Sequence, residues 1–389
     1  MAMRFARSFF AVLAIIGTSL QLPAPARGEA AMSCGTPLEA DGEWQTVSPE
    51  EAGLDAALLC SLNEKLDKSP EMNVHSVVVV RRGKLVYESY RAGEDEKWGT
   101  KLGLTSHTSQ MQHDVRSISK SVVSLLFGIA LDRKLIASID DPMFRYFPEY
   151  AVLRTPEKDN IDLRHLLTMT SGLAWDERRA YSNPDNSERK MIRSREPYRF
   201  VLEQPVWRKP GEEWNYNGGG TQLLAGVLQR TTGKPLADFA KAALFEPLGI
   251  TQFEWLNMPA SGEVAAASGL RLRPRDMAKI GELVLDKGMW HGRRIVSEAW
   301  IHESIQGRIA HFDTVDSLRY GYQWWGDEEK VGGRQISWIT AQGLGGQRIY
   351  VVPAFRLVVV ITAGLYASGS QDRVSFDIFD KYVLAAIRD

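Results

Sequence analysis

Strand-forming sequence lies at the two ends of this chain, and helix-forming sequence fills the middle. Near the start, His75-Ser76-Val77-Val78-Val79-Val80-Arg81-Arg82-Gly83-Lys84-Leu85-Val86-Tyr87-Glu88-Ser89-Tyr90 reads as two β-branched strands turning at Arg82-Gly83-Lys84. The other strand candidates are residues 335–340, 348–352 and 357–363. A lone hairpin is marginal in water, so these strands need each other across most of the chain. The expected fold is α+β, an α/β sandwich. Its antiparallel sheet is built from both chain ends (about 45–115 and 264–389) and flanked by helices. A helical lobe (about 116–263) is inserted between them.

The first residues read as an address rather than as fold. Arg4 and Arg7 precede an apolar run over 9–20, followed by Pro23, Pro25 and the small-residue sites Ala24-Pro25-Ala26 and Gly28-Glu29-Ala30. That pattern predicts a secretory signal peptide over 1–30, cleaved after Ala26 or Ala30. It leaves a single domain, 31–389, that is secreted or periplasmic. No later stretch reaches the ~20 apolar residues of a membrane span. Cys34 and Cys60 are the only cysteines, and in an exported chain the expectation is a disulfide that pins the leader segment to the first helix. A formal net charge of −1 gives no electrostatic case for nucleic acid.

The chemistry is placed at Asp114-Val115-Arg116-Ser117-Ile118-Ser119-Lys120-Ser121, which opens an apolar run of helical length to Leu131. Residues three apart share a helix face, so the Lys120 amine can reach the Ser117 hydroxyl. At a helix start, unpaired N–H groups and the dipole favour developing negative charge. A serine is a poor nucleophile until a base takes its proton, and burial in an apolar wall pushes a lysine toward the neutral form. The competing reading is an ordinary helix cap beside a solvated lysine. A second Ser-x-x-Lys occurs at Ser187 and Lys190, within Asn183-Pro184-Asp185-Asn186-Ser187-Glu188-Arg189-Lys190. That run has no apolar face and reads as a solvated loop, inside a surface flap over 175–195.

With these pieces in order, the chain resembles the serine β-lactamase-like superfamily, which includes class C β-lactamases, penicillin-binding proteins, related esterases and aminohexanoate-oligomer hydrolases. The resemblance runs from about Trp44 to the C-terminus. It is carried by Arg116-Ser117-Ile118-Ser119-Lys120-Ser121 and Leu166-Leu167-Thr168-Met169-Thr170-Ser171-Gly172-Leu173. Two further marks are Pro210-Gly211 with Trp214-Asn215-Tyr216, and Ala341-Gln342-Gly343-Leu344-Gly345-Gly346-Gln347 before a strand. It implies Ser117 as nucleophile and Lys120 and Tyr216 as general base and acid. The backbone N–H groups of Ser117 and Leu344 would form the oxyanion hole, and Asn217, Gly218, Gly343 and Gly345 would contact substrate. The family's second motif, Tyr-x-Asn, is met only at Tyr216, because the third position is Gly218. The cation or imidazole of its third motif is absent at Ala341-Gln342-Gly343.

The resulting expectation is a serine hydrolase, a carboxylesterase or amidase that cleaves a small-molecule ester or amide through an acyl-enzyme. The alternatives are a β-lactamase, or a non-turnover penicillin-binding or sensor protein on the same fold. No cofactor is implied. The seven histidines, among them His113, His165, His291, His302 and His311, show no ligand spacing, so no metal is expected and each is read as structural or surface. The chain has no Gly-x-Ser-x-Gly elbow, which argues against an α/β-hydrolase.

Overall fold

The structure is a computed structural model that describes residues 34–37, 42–310 and 318–388. The expected signal peptide lies outside the described residues. Helix α1 (Ala56–Asp67) follows its cap Asp55, whose carboxylate accepts from the Leu58 N–H at 2.9 Å. In the sequence Ser48-Pro49-Glu50-Glu51 reads as a helix start, but α1 begins later, at Ala56. Ser48 and Glu51 hydrogen-bond each other's backbone there, but the bonds close a turn. Cys34 and Cys60 are joined as a disulfide, tying the leader segment to α1.

Strands β1 (Val74–Arg81) and β2 (Lys84–Tyr90) form the expected hairpin. A second hairpin follows, β3 (Ala92–Lys97) and β4 (Thr100–Ser106), where the polar sequence suggested only a connection. Strand β5 (His113–Asp114) leads into α2 (Ile118–Asp132). Helices α3 (Leu163–Leu167), α4 (Ser187–Ile192), α5 (Pro197–Leu202), α6 (Gly218–Thr232) and α7 (Leu236–Ala240) fill the middle of the chain. Strands β6 (Phe253–Trp255) and β7 (Leu270–Leu272) make a small sheet with β5, in the order β5-β7-β6.

The chain then returns through α8 (Pro274–Leu285), the two-residue strands β8 (Met289–Trp290) and β9 (Arg293–Arg294), and α9 (Glu298–Ile305). Six strands follow: β10 (Ile309–Ala310), β11 (Arg319–Tyr320), β12 (Trp325–Val331), β13 (Arg334–Gly343), β14 (Gln347–Val352) and β15 (Leu357–Ala363). Helix α10 (Gln371–Ile378) comes after them.

The main sheet is antiparallel, in the order β10-β11-β12-β13-β14-β15-β1-β2. The pairing of β15 with β1 joins the two chain ends, with Val78 opposite Val360 and Val80 opposite Val358. The expected α+β architecture therefore holds. Side chains alternate across a strand, so the Val77–Val80 run feeds two cores. Val78 and Val80 pack with α2, α6 and α8, while Val77 and Val79 pack with α1 and α10. Both faces are covered, which explains an unbroken apolar run in place of alternation. Helix α2 is buried from Ile118 through Ala130, enclosing Lys120 and three serines with its apolar residues. Among the described residues, no helix is long and apolar enough to cross a membrane.

Candidate active site

The approach to α2 is conformationally unusual. Arg116 holds φ at +52°, a left-handed conformation that side chains rarely adopt and that collects at functional sites. Its guanidinium is tied to Glu96 and, at 3.2 Å, to Asp114. Ser117 sits just before the first residue of α2, and its hydroxyl makes no capping hydrogen bond. Instead the Lys120 ammonium lies 3.0 Å from the Ser117 Oγ. Lys120 is 1% exposed, and a second bond of 3.0 Å to the Ala267 carbonyl fixes its head. The cap-and-solvated-lysine reading does not fit this geometry.

Tyr216 closes the group. Lys120 Nζ stands 4.8 Å from the centre of its ring, and the phenol interacts with both Ser117 and Lys120. The same ring packs on Trp214 and Trp325, at 6.0 and 6.4 Å between centroids. Tyr216 thus has an apolar body and a polar tip at the serine.

Two carboxyl groups were not anticipated. Both come from the segment read as a surface flap. Glu177 accepts from the Trp175 indole, the Gly218 N–H and, at 3.0 Å, the Tyr181 hydroxyl. Glu188, on α4, is 1% exposed and accepts from the Ser268 hydroxyl at 2.7 Å. Charged residues in a polar run signal solvent; the tertiary packing of α4 buries Glu188, while Glu177 is partly buried. The solvated-loop reading of 183–190 is therefore corrected from Ser187 onward, where a short helix begins. Its Ser187 exchanges hydrogen bonds with the Asp176 backbone, while Lys190 stays outside and pairs with Asp185 at 3.1 Å.

These carboxyls change the electrostatics expected of Lys120. Burial pulls its pKa down, but Tyr216, Glu188 and Glu177 more than offset this and hold it above the usual lysine range. Glu188 is pushed up by burial, yet Lys120 and the hydrogen bonds around it keep it below the usual carboxylate range. Glu177 is pushed up to about 8, by burial first and by Glu188 second. Burial also raises Tyr216, against the pull of Lys120. The directions of these shifts keep Lys120 an ammonium and leave Glu188 the more acidic of the two carboxyls.

Ser117 and Tyr216 open onto a cavity of about 360 Å³, also lined by Glu177, Trp214, Gln342, Leu344 and Arg348. A larger cavity of about 570 Å³, between Trp338 and Phe376, borders the same Gln342, Arg348 and Asp372 and extends the cleft away from the serine. The end of β13 belongs to this site. A side chain at Gly343 would lie 2.2 Å from the Val115 carbonyl, so only glycine lets the strand approach the Ser117 turn this closely.

Three of the residues expected to touch substrate do other work. Asn217 is buried and caps α6, accepting from the Gly220 N–H at 3.0 Å. Gly218 is the first residue of that helix, with its N–H given to Glu177. Gly345 donates its N–H to Gln371 at 2.5 Å. Asn215, not Asn217, lines the cavity. Ala341 lies in the core, and its neighbour Gln342 faces the cleft. Across the ladder from Gln342 stands Arg348, a cation that the motif comparison could not reveal because it comes from β14.

Comparison with known proteins shows the family and the fold. A family described as Beta-lactamase matches residues 62–374. The 6-aminohexanoate-dimer hydrolase of Paenarthrobacter ureafaciens is 23% identical over 325 residues, 78% of this chain and 75% of that protein. Esterase EstB of Burkholderia gladioli is 26% identical over 220 residues, 53% of this chain and 54% of that protein. Among solved structures, the octameric penicillin-binding protein homologue of Pyrococcus abyssi superposes with a TM-score of 0.62 at 18% identity, covering 83% of this chain and 75% of that one.

Proposed function

The chain belongs to the beta-lactamase family, and on that footing we propose that it is an exported serine hydrolase that opens esters or linear amides through an acyl-enzyme on Ser117. One observation carries the reading: Lys120 Nζ lies 3.0 Å from Ser117 Oγ, with Tyr216 beside both, at the wall of a cavity. The hydrolase and esterase relatives support the class of reaction, and the Cys34–Cys60 disulfide supports an oxidising compartment.

Ser117 attacks the carbonyl carbon, and its proton passes to the Lys120–Tyr216 pair. The carbonyl oxygen collects negative charge at the N–H groups of Ser117 and Leu344. Collapse expels the alcohol or amine, which takes the proton from the pair. Water then repeats the sequence on the acyl-serine and frees the acid. The pair acts as one unit, because Lys120 as ammonium stabilises negative charge on the Tyr216 oxygen.

A serine-directed phosphonate should label the protein once, at Ser117, and Ser117→Ala should abolish both labelling and turnover. Label on Ser187, or label surviving Ser117→Ala, would remove the assignment. A stable adduct with no released product would favour a binding or sensor protein on this fold.

A further inference from the structure

Three histidines and one aspartate from four separate stretches meet below the active-site wall. His75 is on β1, Asp95 on β3, His107 just beyond β4, and His113 on β5. Their side chains are 0%, 1%, 4% and 1% exposed, and one donor atom from each lies within 4.8 Å of all the others. His75 Nδ1 is 2.8 Å from His113 Nε2. Asp95 Oδ1 is 3.6 Å from His113 Nε2 and 4.0 Å from His75 Nδ1, and Asp95 Oδ2 is 3.8 Å from His107 Nε2. A tetrahedral zinc centre, with bonds of about 2.0–2.1 Å, spaces its donors about 3.3–3.4 Å apart. The cluster brackets that spacing.

The outer hydrogen bonds decide which nitrogens face inward. Asn73 donates its Nδ2 to the Glu94 carbonyl at 2.8 Å, which turns its Oδ1 toward His75 Nε2 at 3.3 Å. His75 Nε2 therefore carries the proton, and Nδ1 presents a lone pair. His113 Nδ1 lies 2.9 Å from the Asp114 carbonyl, which can only accept, so its Nε2 also presents a lone pair. Two lone pairs face each other across 2.8 Å, an arrangement that a cation satisfies and a hydrogen bond between these tautomers cannot. His107 Nε2 and Asp95 Oδ2 are buried with no hydrogen-bond partner. The other Asp95 oxygen accepts from the Tyr366 hydroxyl at 3.0 Å, an outer-sphere contact of the kind that orients metal ligands.

We propose that His75, Asp95, His107 and His113 form a structural site for one divalent transition-metal ion of the zinc class, fastening the β3–β4 hairpin and β5 to the main sheet. Imidazole and carboxylate donors suit that class, and four buried protein donors leave no open position for chemistry. The site would stiffen the catalytic wall from behind. His113 is four residues before Ser117 in the sequence, and the Tyr366 ring that reaches Asp95 also lies under the Arg116 guanidinium at 4.8 Å. That ring packs so closely on Gly345 that a side chain there would approach it to 2.6 Å. The inference does not depend on which bond Ser117 cleaves.

The test uses the full chain made without a polyhistidine tag, dialysed against zinc or cobalt(II) and then freed of loosely held ions. Elemental analysis should find about one equivalent of metal per chain, and cobalt(II) should give the visible absorption of a tetrahedral centre. Chelation should lower the wild-type Tm by several degrees. His107→Gln and Asp95→Asn should lose the metal and the chelator effect. His302→Gln, at an exposed position on α9, should keep both. Wild-type protein that retains far less than one equivalent after exposure to both ions would overturn the proposal. So would an unmoved Tm on chelation, or a full equivalent in His107→Gln. If His107→Gln fails to fold, the wild-type stoichiometry and cobalt spectrum decide by themselves.

Discussion

The Ser268 hydroxyl donates to Glu188 Oε1 at 2.7 Å, and this bond brings α4 against the residues whose backbone holds the Lys120 head. Through it a charged residue from an outwardly polar helix becomes the counter-ion of the active site. Much of the site's proton chemistry follows from this contact.

Activity should rise from neutral into alkaline pH. Lys120 and Tyr216 are both held above their usual ranges, and the catalytic pair must give up one proton before it can accept the one on Ser117. Glu188→Gln removes charge that keeps Lys120 protonated, so the rising limb of kcat/KM should move down by about one pH unit. A limb that stays in place, or moves up, would show that Glu188 does not set the state of the pair.

Tyr216→Phe keeps the aromatic contacts with Trp214 and Trp325 and removes only the phenol oxygen. Acylation should slow by roughly 10²–10⁴, the range for a lost general base, with KM little changed. Lys120→Met should behave alike. Single-turnover kinetics make the measurement. A Tyr216→Phe rate within a few-fold of wild type would reduce Tyr216 to a packing residue.

The legible part of the site was the local part. Ser117 and Lys120 are three residues apart on one helix, and the apolar run behind them announced the burial of that helix. The sheet was legible for a similar reason, since β1, β13, β14 and β15 are rich in β-branched and apolar residues. Glu177 and Glu188 were not, because charge in a polar stretch signals water and nothing local shows that α4 folds inward. Strand β3 reads Ala-Gly-Glu-Asp-Glu-Lys and carries no strand propensity of its own, so only its pairing with β4 defines it. The His75, Asp95, His107 and His113 cluster has no spacing to read, since its members meet only when four separate stretches converge. Asn217 misled because proximity in sequence to Tyr216 is not proximity to the cavity: its side chain turns back to cap α6.

Glu177 should cost the fold stability at alkaline pH. Its folded pKa of about 8 lies above the ordinary 4.5, so the folded chain holds a proton that the unfolded chain has released between those values. The contribution is full below the unfolded pKa and is lost as pH rises through the folded one. Glu177→Gln does not titrate, so its Tm relative to wild type should climb from pH 5 to pH 8. A difference independent of pH over that interval would show that Glu177 is ionised in the folded protein.

Substrate preference turns on Arg348 and Asp372. The lactamase pattern supplies an asparagine for the amide and a cation for the carboxylate of a β-lactam. Here the asparagine position is Gly218, closed under Glu177, and the cation position is taken by Ala341 in the core and Gln342 in the cleft. Arg348 does reach the cleft, but its guanidinium is already committed to the Gly343 carbonyl at 3.2 Å, the Gln347 carbonyl at 2.7 Å and the Asp372 carboxylate. A missing hydrogen bond to a charged group costs about 1.5–3 kcal/mol, roughly one to two powers of ten in rate when felt in the transition state. Neutral esters need neither contact, so a short-chain aryl ester should exceed a chromogenic cephalosporin clearly in kcat/KM. The Asp372 side chain is 73% exposed, so Asp372→Ala should leave the fold intact while freeing Arg348. That variant should gain up to about tenfold on carboxylate-bearing substrates, with little change on neutral esters. Wild-type turnover of the cephalosporin at or above the ester rate would return the protein to the lactamases. An Asp372→Ala variant equally fast on both classes would show that Arg348 only braces the end of β13.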